Sequence, residues 1–124
     1  MRFDWSEYLD VAKELASVSS SSVNREAKLR SAISTYYAAF INARNYLRDR
    51  EGLLIPKTSD AHRYVKDQFQ HSSDLVRQSL GEKLLRLRDF RRQADYVDTF
   101  PGLVGITQTA LKLSEEVIAI LSNL

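Results

Sequence analysis

Apolar residues recur in this chain at steps of three and four over long stretches, and nowhere do they alternate regularly with polar ones. That spacing is the strongest constraint on the fold. A helix turns once in about 3.6 residues and gathers such residues into one buried stripe, whereas a strand needs a step of two. Leu29, Ile33, Tyr36, Phe40, Ala43 and Leu47 form one stripe and predict a long helix over residues 24–50. Leu80, Leu84, Leu87, Ala94 and Val97 form a second arc, and Arg91 falls inside it. Ile106, Ala110, Leu113, Val117, Ile120 and Leu124 form a third, on a helix over residues 103–122.

Breakers are few, four glycines and two prolines, so element ends are easy to place. Asp4 can cap a first helix running to Ala16, with Glu7 completing a capping box. The serine-rich run from Ser17 to Ser22 reads as a connector, and Asn24 as the cap of the long helix. Gly52 and Pro56 end that helix and bound a loop over residues 51–58. Ser59 or Asp60 can cap a short helix carrying Tyr64, Val65 and Phe69. Ser72, Ser73 and Asp74 supply the cap of the helix that carries Arg91, with Gly81 a weak point near its start. Pro101-Gly102 separates it from the last helix. The expected architecture is all-α: an antiparallel four-helix up-and-down bundle with an additional short helix, one domain over residues 1–124.

Composition narrows the chemistry. With no cysteine there is no disulfide framework, thiol nucleophile or thiolate metal site, and two histidines are too few for a histidine-rich one. No metal or cofactor is implied. No apolar run approaches the roughly 20 residues of a membrane span, and the N-terminus lacks a signal-peptide pattern, so the expectation is a cytoplasmic protein without membrane contact. Net charge is only +2, yet residues 83–92 hold five cations and one anion. Such a segment is either a nucleic-acid footprint or a solvated helix face.

Arg91 is the residue that local structure explains least. A guanidinium stays charged, so beside an apolar face it requires anionic or polar partners. Arg88, Arg91, Asp95 and Asp98 make one strip at steps of three and four, open to internal ion pairing. Tyr96 lies about 140° round the same helix from Arg91, so the two meet one ligand only in a cleft or where the helix tightens. Tyr37, Ile41, Arg44 and Arg48 flank the stripe that runs from Leu29 to Leu47 and suit a subunit interface, where tyrosine and arginine are enriched. His62, in the short helix, is a surface residue or a phosphate-facing proton carrier. His71 reads as a helix C-terminal residue favoured by the dipole.

Glycine-rich phosphate loops, zinc-protease histidine pairs and nucleophile elbows are absent from the sequence. What the residues do carry, in order, is Tyr36-Tyr37-Ala38-Ala39-Phe40 through Arg44-Asn45-Tyr46-Leu47, then His62, then Arg91-Arg92-Gln93-Ala94-Asp95-Tyr96. This series resembles the HEPN superfamily of small helical proteins. The resemblance implies a homodimer with the motif helices facing across a cleft. In its active members it implies a metal-independent endoribonuclease, in which an arginine holds the scissile phosphate and a following histidine transfers protons. Many such proteins are toxins paired with a small nucleotidyltransferase antitoxin. Carried over, Arg91 is the motif arginine and Tyr96 stands where the motif has histidine. A tyrosine, with a reference pKa of about 10, is a poor base at neutral pH. The candidate catalytic set is therefore Arg91, Tyr96 and His62, with Arg88, Arg92, Asp95, Tyr37 and Arg44 as candidate binding residues. Three readings stay open: a variant ribonuclease, a non-catalytic module binding nucleotide, RNA or a partner nucleotidyltransferase, and a dimeric helical scaffold.

Overall fold

In the computed structural model residues 3–19 and 22–124 are described, so Ser20 and Ser21, the middle of the expected connector, lie outside it, as do Met1 and Arg2. The described residues form helices and the loops between them, with no strand. Six α-helices follow in order: α1 (Glu7–Ala16), α2 (Arg25–Ala32), α3 (Tyr36–Arg50), α4 (Asp60–Gln70), α5 (Leu75–Tyr96) and α6 (Leu103–Ser122). A 3-10 turn at Ile33–Thr35 joins α2 to α3.

The long helix expected over residues 24–50 is thus broken in its middle. Ile33-Ser34-Thr35 is the part of it with the weakest helix formers, and α6 supplies a hydrogen bond there. Ser114 Oγ donates to the Thr35 carbonyl at 3.3 Å, from a position that is itself fully buried. The stripe runs unbroken through the turn: Leu29, Ile33, Tyr36, Phe40, Ala43 and Leu47 are all buried. From Ile33 onward these residues make one continuous core with Val65 and Phe69 of α4, Leu80, Leu84 and Leu87 of α5 and Ala110, Leu113 and Val117 of α6. Helix α4 packs along α5, and α6 lies against both α3 and α5.

Several boundaries depart from the expected caps. Asp4 turns its carboxylate onto the Ser6 N–H at 2.9 Å, so the helix starts at Glu7 and no Asp4–Glu7 capping box forms. Asn24 does sit at the N-cap of α2, but in the left-handed region (φ 57°) and without a side-chain cap bond. Asp74 caps α5 as its sequence suggests, accepting from the Val76 N–H at 2.8 Å. Helix α4, expected to be the short one, matches α1 in length, 11 residues against 10.

The end of α5 is set from outside the helix. Arg30 of α2 donates from Nη1 to the carbonyls of Ala94 (3.0 Å) and Val97 (2.6 Å), and from Nη2 to that of Asp98 (2.9 Å). One guanidinium thereby satisfies terminal carbonyls that would otherwise lack partners. Val97, expected on the buried arc, is extended and 43% exposed as a result, and Asp98 leaves the ion-pair strip.

Gly81 answers the question raised by a glycine inside a helix. A Cβ at that position would sit 2.5 Å from the Gln70 backbone nitrogen and 2.7 Å from its Cα, so the C-terminal backbone of α4 lies directly on α5 there. Ordinary glycine-to-alanine replacement in a helix gains about 1 kcal/mol. Here the added methyl meets backbone, and overpacking of about 1–3 kcal/mol opposes the gain. Gly81→Ala should therefore lower stability by up to about 2 kcal/mol in chemical denaturation, and a stabilised variant would show that α4 and α5 are not in backbone contact.

Candidate functional site

Three helices converge on one polar cluster. The first turn of α3 provides Tyr36 and Tyr37, with Phe40 one turn on; the start of α4 provides His62; the second half of α5 provides Arg88 and Arg91. Tyr36 is 1% exposed, and a hydroxyl buried that deeply requires a partner. Its partner is His62 Nδ1, at 2.5 Å. The imidazole is further held by stacking on Phe40, with ring centroids 4.2 Å apart and planes 19° apart. With Nδ1 engaged and one face covered, Nε2 is the ring nitrogen left for chemistry.

Arg91 occupies the place on the arc between Leu87 and Ala94, both buried. Its guanidinium lies over the Tyr37 ring, 4.4 Å from the centroid, a cation–π contact that suits a weakly hydrated cation near an apolar face. Nε stands 3.5 Å from Asp95 Oδ2, an ion pair, but that nitrogen is buried without a hydrogen-bond acceptor. Arg88, one turn earlier on the same face, is partly buried as well.

The electrostatics follow from this crowding. Burial, and then the charges of Arg88 and Arg91, push the His62 pKa below its ordinary value of 6.5. Burial raises the Tyr36 pKa, against the pull of the same two arginines. At neutral pH the cluster therefore holds a neutral imidazole and a protonated phenol beside two guanidinium groups. An anion placed among them would gain from both arginines and meet a histidine free to accept a proton.

The candidates read from sequence divide accordingly. Arg91, Arg88, Tyr37 and His62 come together, and Asp95 pairs with Arg91. Tyr96, the last residue of α5, is 81% exposed and lines a separate surface depression with Arg30, Asp95 and Asp98. Arg92 is exposed. Arg44 lies two turns beyond Tyr37 on α3, its Nε and Nη2 donating to Asn45 Oδ1 at 3.2 and 3.0 Å. Ile41, grouped with these residues on a flank left for a subunit interface, is instead 8% exposed and part of the chain's own core. His71 is exposed just after α4, where its N–H donates to the Asp67 carbonyl at 3.0 Å. Of the basic segment 83–92, Lys83 turns to Glu116 and Arg86 to Phe90, so only part of it faces the cluster.

Two residues of the cluster were not legible as such. Tyr36 and Phe40 lie on the core stripe and read as packing, which they also are. The available signal was the adjacent pair of tyrosines, one of which had to bury a hydroxyl.

The fold and the cluster define a small all-helical protein with a cationic, histidine-bearing site beside a tyrosine-rich helix. A family model of the HEPN domain matches residues 5–124, nearly the whole chain, and the protein belongs to that family. No curated protein and no solved structure matches the chain significantly. Among the described residues no helix is long and apolar enough to cross a membrane.

The lowered His62 pKa has a consequence for stability. Above the ordinary histidine value of 6.5 the ring is neutral in both folded and unfolded chains. As pH falls from there through the lower folded value, the unfolded chain takes up a proton that the folded chain resists, and stability declines. Denaturation midpoints recorded from pH 8 to 5 should fall more steeply for the wild type than for His62→Gln, which keeps a polar partner for Tyr36 but does not titrate. Parallel curves would contradict the burial of a neutral imidazole.

Proposed function

We propose that this HEPN protein is a metal-independent endoribonuclease whose reacting groups are His62, Arg88 and Arg91. The observation that carries the reading is the imidazole of His62, oriented by Tyr36 and Phe40 beside two guanidinium groups. Arg88 and Arg91 hold the scissile phosphate and offset the charge that grows on it in the transition state. In the tautomer where Nδ1 donates to Tyr36 Oη, the Nε2 lone pair accepts the proton of the ribose 2′-hydroxyl. The 2′ oxygen attacks phosphorus, the bond from phosphorus to the 5′ oxygen breaks, and the leaving oxygen takes a proton from the imidazolium. The products are a 2′,3′-cyclic phosphate and a 5′-hydroxyl end. Tyr96 in this account contacts substrate outside the reacting centre, as its exposure permits.

The wider setting belongs to the same proposal: a single domain whose longer helices run up and down as an antiparallel bundle, a cytoplasmic homodimer, and a toxin or defence role beside a small nucleotidyltransferase. A second reading, a module that binds RNA or nucleotide without cleaving it, is favoured by tyrosine at position 96 where the family motif has histidine.

RNA incubated with the purified protein in EDTA tests these readings together. The nuclease reading predicts cyclic-phosphate products and a fall of about 10²–10⁴-fold in rate for both His62→Gln and Arg91→Ala. Salt-sensitive binding that weakens in Arg91→Ala, with no product, supports the binding module instead. Neither binding nor cleavage would leave the dimeric scaffold.

A further inference from the structure

An open cleft of about 520 Å³ lies between α3, the loop after it and the start of α4. Its floor is apolar, formed by Phe40, Leu53, Ile55 and Ala61, while Arg44, Arg48 and Lys57 stand around it and no carboxylate lines it. The loop that makes the outer wall is built into the fold. Gly52 takes the left-handed conformation (φ 69°), the Leu53 N–H returns to the Leu47 carbonyl at 3.1 Å, and Arg77 of α5 grips Glu51 through two bonds of 3.1 and 3.0 Å.

Charge and shape in this cleft point to one kind of occupant. Arg44 is partly buried, with the neutral Asn45 amide as its hydrogen-bond partner. Burial, and then the neighbouring Arg48 charge, lower its pKa. Arg48 is paired with Asp49 at 2.8 Å. Two close cations, one partly desolvated, favour an anion, and the apolar floor favours a planar or apolar group attached to it. The volume falls within the range of small-ligand pockets.

The cleft also adjoins the cluster at His62. Phe40 belongs to both, lining the cleft and stacking on the imidazole. Tyr37, which carries Arg91 on its ring, and Arg44 stand seven residues apart on one face of α3, about 10 Å along the axis. A stretched single strand spans that distance in a step or two.

We propose that the cleft is a subsite for one nucleotide of single-stranded RNA, its base on the Phe40–Leu53–Ile55 floor and its phosphate at Arg44, Arg48 and Lys57, flanking the phosphate held by Arg88 and Arg91. This rests on the RNA reading of the cluster, and adds the position and chemistry of a second contact.

The test uses the full chain and non-cleavable 2′-O-methyl oligoribonucleotides of increasing length, with affinity read by fluorescence anisotropy. Leu54 is 92% exposed at the cleft and Lys57 is exposed too, so Leu54→Glu and Lys57→Glu place a negative charge at the site without disturbing the core. In the wild type, affinity should rise by about tenfold at the length that reaches from Arg91 into the cleft. In Leu54→Glu and Lys57→Glu that step should vanish with the melting temperature unchanged, whereas Lys112→Glu, exposed on α6 away from the cleft, should keep it. Binding that depends on Arg91 but keeps the step in both cleft variants overturns the subsite alone. Absence of binding at every length overturns the subsite and the RNA reading together.

Discussion

The buried hydroxyl of Tyr36 is the constraint on which the site depends. Leaving it without a partner inside the core would cost roughly 1–3 kcal/mol, and the partner the fold provides is the Nδ1 of His62. That bond ties the first turn of α4 to the first turn of α3 and sets the imidazole against Phe40. Tyr36 also lies in the continuous core of the described residues, so His62 is positioned by the same packing that holds the helices together.

Helix α5 contributes the opposing half of the cluster. It must bring two guanidinium groups to the edge of an apolar interface, and two local arrangements make this tolerable. The Tyr37 ring takes the face of Arg91, and Asp95 lies one turn along to offset its charge. What remains is an Nε without an acceptor and a neighbouring histidine held neutral. The site is short of negative charge by construction, which is the electrostatic condition for capturing a phosphate rather than for stabilising the free protein. The cleft beyond Phe40 repeats the pattern at smaller scale, with cations around an apolar floor.

Much of the fold was legible because helix periodicity is a local property. The stripe from Leu29 to Leu47 and the arc from Leu80 to Ala94 are buried as their spacing requires. What was not legible depends on residues far apart in sequence. The break at Ile33–Thr35 involves Ser114, the end of α5 depends on Arg30, and the role of Gly81 depends on the backbone of Gln70. The site divides the same way. Arg91 stood out as a cation on an apolar arc, and Arg88 as its neighbour one turn away. Tyr96 was grouped with Arg91 in the candidate catalytic set, although it lies about 140° round the helix from it. The meeting of His62 with Tyr36 was hidden, because the course of the loop from 51 to 58 decides where α4 begins, and no short-range pattern encodes that course.

The central claim is that His62, Arg88 and Arg91 form one electrostatic unit. An NMR titration of the His62 ring in the wild type and in Arg91→Ala tests it most directly. The account predicts a His62 pKa below 6.5 in the wild type, a higher value once the Arg91 charge is removed, and a rise in the wild type when an oligonucleotide phosphate binds. An ordinary histidine pKa that neither substitution nor ligand moves would contradict it.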